Sequence, residues 1–138
     1  MNNTTLTFPI IADADRSVAW LYDMISQPDI ERLAAEKAAG SSAGIAFTIR
    51  SVFVIDPAKK IRLSMMYPAS TGRNSAEVLR VIDSLQMGDE RGVVTPIDWQ
   101  KGEDVIVPPS VSTADAEKKF GEGRVRELKP YLRYAKVE

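Results

Sequence analysis

The sequence predicts an α/β fold: a partial sheet core followed by an irregular C-terminal extension. Residues 47–55 and 61–67 alternate as two strands around a turn, and residues 74–85 form a capped amphipathic helix. After Gly88 the periodic runs give way to a stretch punctuated by Pro96, Pro108 and Pro109. The size fits one domain, with 138 residues, 44% apolar and 27% charged.

Along the chain the predicted order is β-α-loop-β-β-α and then the extension. Leu6 to Ile11 reads as a short buried strand, with Pro9 tolerable near an edge. Asp13 and Asp15 supply helix-start chemistry, and Val18, Ala19, Leu21, Tyr22 and Ile25 give a one-sided stripe for a short helix. Pro28 restricts its continuation. Ile30, Leu33, Ala34 and Ala38 suit a further helix, and the small residues 39–44 suit a loop that ends a surface excursion.

The strongest strand signal follows. Phe47, Ile49, Phe53 and Ile55 share one face, while Arg50, Val52 and Val54 share the other. Apolar residues on both faces predict a sheet covered on both sides. Asp56-Pro57-Ala58-Lys59 is turn chemistry, so Ile61, Leu63, Met65 and Tyr67 should complete a hairpin. Asn74 with Glu77 three residues on predicts a capped helix start. Val78, Leu79, Val81, Ile82 and Leu85 make its broad apolar face, and Gly88 its stop. In the extension Trp99 and Val105-Ile106-Val107 are anchors, Ser112 with Asp115 opens a helix to about Phe120, and 131–134 suit a terminal strand.

Composition bounds the chemistry sharply. The chain has no cysteine and no histidine, so it offers no thiolate, no disulfide, no imidazole and no zinc site built on those ligands. No Ser-His-Asp arrangement can form and no Walker loop is present, so no cofactor or metal is expected. A net charge of −1 argues against a nucleic-acid partner. No run reaches the roughly 18 apolar residues of a membrane helix, and the polar start Met1-Asn2-Asn3-Thr4-Thr5 does not resemble a signal peptide. The expected location is cytoplasmic.

Several segments together resemble the 1-Cys peroxiredoxins, nearest to the fungal, mitochondrial type related to peroxiredoxin 6. They are Phe8-Pro9-Ile10-Ile11-Ala12-Asp13, Arg50-Ser51-Val52-Phe53-Val54-Ile55-Asp56-Pro57, and Tyr67-Pro68-Ala69-Ser70-Thr71-Gly72-Arg73-Asn74. Val81-Ile82-Asp83-Ser84-Leu85-Gln86, Thr95-Pro96-Ile97-Asp98-Trp99, Asp104-Val105-Ile106-Val107-Pro108-Pro109 and Lys129-Pro130-Tyr131-Leu132-Arg133-Tyr134 extend the resemblance over nearly the whole chain.

The resemblance implies a thioredoxin-like core part over 1–88 and the family's C-terminal extension and dimerisation domain over 89–138. It also implies that the family's Pro-x-x-x-Thr-x-x-Cys segment, whose cysteine attacks hydroperoxides, has no counterpart here. The chain looks like about the C-terminal three-fifths of a family member, which would be mitochondrial in its full-length form. Arg50 matches the family's active-site arginine, which stabilises the thiolate and orients peroxide oxygens with its guanidinium fork. Arg73 matches an arginine near the same pocket, and Tyr67 ends the strand beside it. From the residues alone the plainer accounts stay open: a strand-end arginine paired with a carboxylate, a loop-bracing arginine, and a packing tyrosine.

Three functions follow as expectations. The chain is a truncated peroxiredoxin without peroxidase activity of its own. Alternatively it is a non-catalytic dimerisation or binding partner, or a non-redox enzyme of dehydratase or isomerase type. The last would hold an anionic or enolic substrate with Arg50 and Arg73 and move a proton with Tyr67 or an aspartate. A homodimer or swapped oligomer is expected, because exposed strand edges and apolar faces find partners. A small anionic or peroxide-like molecule is the expected ligand.

Overall fold

A computed structural model describes residues 7–40, 44 and 46–137. It divides into two compact units, Met1–Arg73 and Asn74–Glu138.

The first unit opens on an extended segment. Residues 7–11 form no strand, and Phe8, Ile10 and Ile11 are exposed, which corrects the expected buried strand; Leu6 lies outside the described residues. A strand needs a neighbour for its N–H and C=O groups, and among the described residues this segment pairs with none. Helix α1 (Ser17–Leu21) is capped from upstream, as expected. The Asp13 carboxylate accepts the N–H of Val18 and Ala19, both at 2.9 Å, and Asp15 accepts that of Ser17 at 3.2 Å. Helix α2 (Gln27–Ala38) starts at the Ser26 cap, and Pro28 sits in its first turn, where its missing N–H costs nothing. Arg32 then clips Asp29 and Glu36 along the surface at 3.2 and 2.8 Å.

The predicted hairpin is present as β1 (Arg50–Ile55) and β2 (Ile61–Tyr67). Asp56 and Lys60 close its turn through a backbone hydrogen bond of 3.0 Å, and Lys59 takes the left-handed conformation at φ 63°. The strand begins at Arg50 rather than Phe47, and Thr48 contributes only an isolated bridge to Ile25. No residue of either strand is fully buried, so the expected cover on both faces is absent among the described residues. The ring of Tyr22, just past α1, meets that of Phe53 edge-on at 5.1 Å.

A register shift between Val54 and Ile55 decides which side chains face each other. Ile55 pairs with Ile61, but Val54 pairs with Leu63, leaving Arg62 as an extra residue. The shift sets Val52 opposite Met65 and Arg50 opposite Tyr67. An unshifted ladder continuing the Ile55–Ile61 pairing would bring Met66 opposite Arg50. A bulge re-aims a strand in this way.

The second unit closes around a real core. Helix α3 (Ser75–Arg91) is capped by Asn74, whose side chain accepts from the N–H of Ala76 and Glu77. The Glu77 carboxylate pairs with Arg80 at 2.6 and 2.9 Å. The helix runs past Gly88 and ends at Gly92, which has φ 59°. Gly88 is therefore not the stop; a Cβ there would stand 3.4 Å from the Val93 carbonyl, an ordinary contact. The extension is more regular than its pattern suggests. Strands β3 (Val105–Ile106), β4 (Val125–Lys129) and β5 (Leu132–Ala135) form an antiparallel sheet in the order β3-β5-β4, with α4 (Thr113–Phe120) beside it. As expected, Ser112 caps α4 and Gly121 follows it.

Trp99, Val105, Val107, Ala116 and Ala135 are wholly buried in this core, and Met87 of α3 packs on it. The Trp99 indole donates to the Glu103 carbonyl at 3.1 Å, and Arg80 donates to the Trp99 carbonyl at 3.3 Å. Arg133 is buried, with only 3% exposure. Its guanidinium donates to the Thr113 hydroxyl at 3.3 Å and to the Pro108 carbonyl at 3.1 Å, while its Nε has no partner. Truncating a fully buried tryptophan costs about 3–5 kcal/mol, comparable to the whole stability of a small unit. Trp99→Ala in the full chain should therefore lower the melting midpoint of the second unit sharply, followed by far-ultraviolet dichroism; an unchanged melt would show that the indole does not anchor this core.

Candidate functional site

The candidate site lies on one face of the β1–β2 hairpin. Alternation puts Arg50, Val52 and Val54 on the same face as Tyr67, Met65 and Leu63 across the ladder. Arg50 and Tyr67 are directly opposite. The structure thus brings together two of the three residues singled out in the sequence.

Arg50 is exposed, and its Nε donates to the Ala69 carbonyl at 2.7 Å. Among the described residues its partner is that carbonyl, not a carboxylate, so the strand-end ion pair left open by the sequence does not form. The guanidinium charge is uncompensated there, and a fork of donors remains beyond the one held by Ala69. The contact ties the loop after β2 to the first residue of β1. That loop turns at Pro68, whose carbonyl accepts from Thr71 N–H at 2.9 Å, and it ends at the exposed Arg73 immediately before the Asn74 cap.

Tyr67 is half-buried, and its hydroxyl donates to the Met65 sulfur at 3.8 Å. Thioether sulfur is a weak acceptor, so the phenol keeps much of its capacity for a better one. Met65 is the member that sequence reasoning missed. Alternation alone placed it with Tyr67, but only the bulge puts both opposite the Arg50 face, and a bulge leaves no signal in this composition.

A separate apolar cleft of about 870 Å³ lies in the first unit between α1 and α2, lined by Arg16, Trp20, Leu21, Ile25, Ile30 and Leu33 among others. At its rim Asp15 is held below the usual carboxylate range, chiefly by the Ser17 backbone N–H. None of Arg50, Tyr67 or Arg73 lines this cleft. The non-redox reading, which needs those three around one substrate pocket, gains no support from it. Among the described residues no group of three or more acidic side chains is placed to hold a metal ion, and no helix is long and apolar enough to cross a membrane.

The family profile for the C-terminal domain of 1-Cys peroxiredoxin matches residues 84–123. The mitochondrial peroxiredoxin PRX1 of Saccharomyces cerevisiae is 55% identical over 129 residues, covering 94% of this chain and 46% of that protein. Peroxiredoxin-6 of Rattus norvegicus is 45% identical over 133 residues, covering 94% of this chain and 55% of that protein. Among solved structures, a cysteine-to-serine mutant of peroxiredoxin 6 from Arenicola marina aligns with a TM-score of 0.78 at 41% identity, over 99% of this chain and 59% of that one. The chain spans about half the length of the curated relatives it matches.

Because Arg50 is the strut between β1 and the 68–73 loop, Arg50→Ala should speed tryptic cleavage after Arg73 several-fold with little change in the melting of the second unit. Unchanged cleavage would show that the loop is held by something else.

Proposed function

For a chain that belongs to the 1-Cys peroxiredoxin family and has the thioredoxin-like fold of its solved relatives, we propose the role of guanidinium half of a hydroperoxide-reducing site. The attacking thiolate of that site comes from residues outside these 138. The observation that carries the reading is Arg50, an arginine at the start of a strand, fixed through Nε and free of any carboxylate among the described residues. Such a group lowers the pKa of a thiol brought near it, since a close positive charge favours the charged form. It also orients the two peroxide oxygens and steadies the charge developing on the one that leaves. Tyr67 and Arg73 border the same face and loop, and we assign them to positioning the peroxide.

In this reading residues 1–88 are the C-terminal part of the thioredoxin-like core and residues 89–138 the family's extension. The compartment is a reducing one. Composition favours the cytoplasm, and the mitochondrial yeast relative favours the mitochondrion.

The exposed apolar side chains of the first unit favour a second, compatible role as a binding partner. Trp20, Leu21, Phe47, Ile61 and Met66 are all more than half exposed, more than isolated surface residues require. A homodimer or a swapped oligomer covers such a surface.

The purified chain should consume no hydroperoxide with a thiol reductant. Joined to the cysteine-bearing segment of a 1-Cys peroxiredoxin it should turn over, and Arg50→Ala should lower that turnover by about 10²-fold, the scale of one lost charge-stabilising donor. Turnover that is indifferent to Arg50 would overturn the assignment. Light scattering at micromolar concentration should give a mass of two chains or more, and a monodisperse monomer would refute the oligomer.

A further inference from the structure

The hairpin face that carries Arg50 also carries a sulfur atom. The Met65 thioether lies two residues from Tyr67 on the same face, is touched by the Tyr67 hydroxyl at 3.8 Å, and belongs to the next pair on the Arg50 face, opposite Val52. With no cysteine, methionine supplies the chain's only sulfur. We propose that Met65 is a selective oxygen-accepting site for hydroperoxides in this chain, a modification site formed by Met65, Tyr67 and Arg50. The inference rests on the reading of Arg50 as a peroxide-holding group.

The chemistry balances without another reagent. The terminal oxygen of a hydroperoxide forms a bond to the Met65 sulfur as the O–O bond breaks. The thioether is oxidised by two electrons to the sulfoxide, and the hydroperoxide is reduced to its alcohol, or hydrogen peroxide to water. The proton on the transferred oxygen passes to the departing oxygen, so none is gained or lost overall. Arg50 has the donors to hold the departing oxygen while negative charge builds on it. The Tyr67 hydroxyl is already directed at the sulfur. A sulfoxide oxygen is a far better acceptor than a thioether, so the same hydroxyl holds the product. The event is stoichiometric, one oxygen per chain, and a methionine sulfoxide reductase restores the side chain.

Solvent exposure alone predicts the opposite order of reactivity. Met66, the next residue, is 52% exposed on the other face, opposite Ser51, whereas Met65 is half-buried. Oxidation governed by access would therefore strike Met66 first. Oxidation governed by the Arg50 and Tyr67 groups strikes Met65.

The test is a time course with hydrogen peroxide on the full chain, read residue by residue by peptide mass spectrometry. Met65 should oxidise several-fold faster than Met66. Arg50→Ala should slow Met65 by about tenfold, the effect of one charged hydrogen bond, and leave Met66 unchanged; circular dichroism checks that the variant is folded. The unsubstituted chain keeps the test decisive even if the variant fails to fold, since Met66 reacting first overturns the proposal by itself. The parent reading is separated by a second readout, thiol-dependent turnover of the cysteine-joined chain. If Arg50→Ala lowers turnover but Met65 shows no preference, the inference fails and the reading of Arg50 stands. If neither responds to Arg50, both fail.

Discussion

A strand with apolar residues on both faces must be covered on both faces, and the described residues of the first unit do not manage it. Val52 and Val54 face one way and Phe53 the other, and all three are only half-buried. Fully burying a side chain of this size is worth about 1.5–3 kcal/mol, so the hairpin forgoes several such contributions. Tyr22 against Phe53 supplies one partial cover. Among the described residues of the unit, only Ala19 and Ala46 count as buried core, and alanines bury little area. The second unit differs in kind: Trp99, Val105, Val107 and Ala135 are sealed behind the small sheet and α4. One sequence therefore holds a unit with a sealed core and a unit whose described apolar residues stay largely uncovered. This contrast supports the proposal that the thiol-bearing segment of the family lies against the first unit.

The bulge at Ile55 links that incomplete fold to its chemistry. A one-residue change of register exchanges every cross-strand partner beyond it. Here it exchanges Met66 for Tyr67 opposite Arg50 and brings Met65 onto the arginine face. The exposed guanidinium, the phenol and the thioether form a polar row on an otherwise aliphatic surface. The Ala69 carbonyl then sets the guanidinium by engaging its Nε, leaving its remaining donors for an oxygen-rich ligand.

Much of this was legible in the sequence. The hairpin, the Asn74 and Ser112 caps, the Asp13 and Asp15 helix start and the anchoring role of Trp99 follow from local chemistry, and they appear where that chemistry puts them. The failures have physical causes. Leu6 to Ile11 read as a short buried strand, but a strand also needs a neighbour, and residues 7–11 have none among the described residues. Gly88 read as a helix stop because glycine ends helices, yet the left-handed turn that ends α3 falls one turn later, at Gly92. Strand β4 escaped notice because Arg126, Glu127 and Lys129 dilute its apolar content on an exposed edge. The membership of Met65 in the site depends on the bulge, which composition does not encode. The arginines were found through family resemblance, while the residues alone left their partners open.

Hydrogen–deuterium exchange across the two strands of the hairpin tests the central claim most directly. In the chain alone, amides of Arg50–Ile55 and Ile61–Tyr67 should exchange far faster than those of Val105–Ile106 and Leu132–Ala135. Adding the cysteine-bearing segment of a 1-Cys peroxiredoxin should slow the hairpin amides toward the level of the second unit and leave that unit unchanged. A hairpin as protected as the second unit in the chain alone, or one that ignores the added segment, would contradict the account.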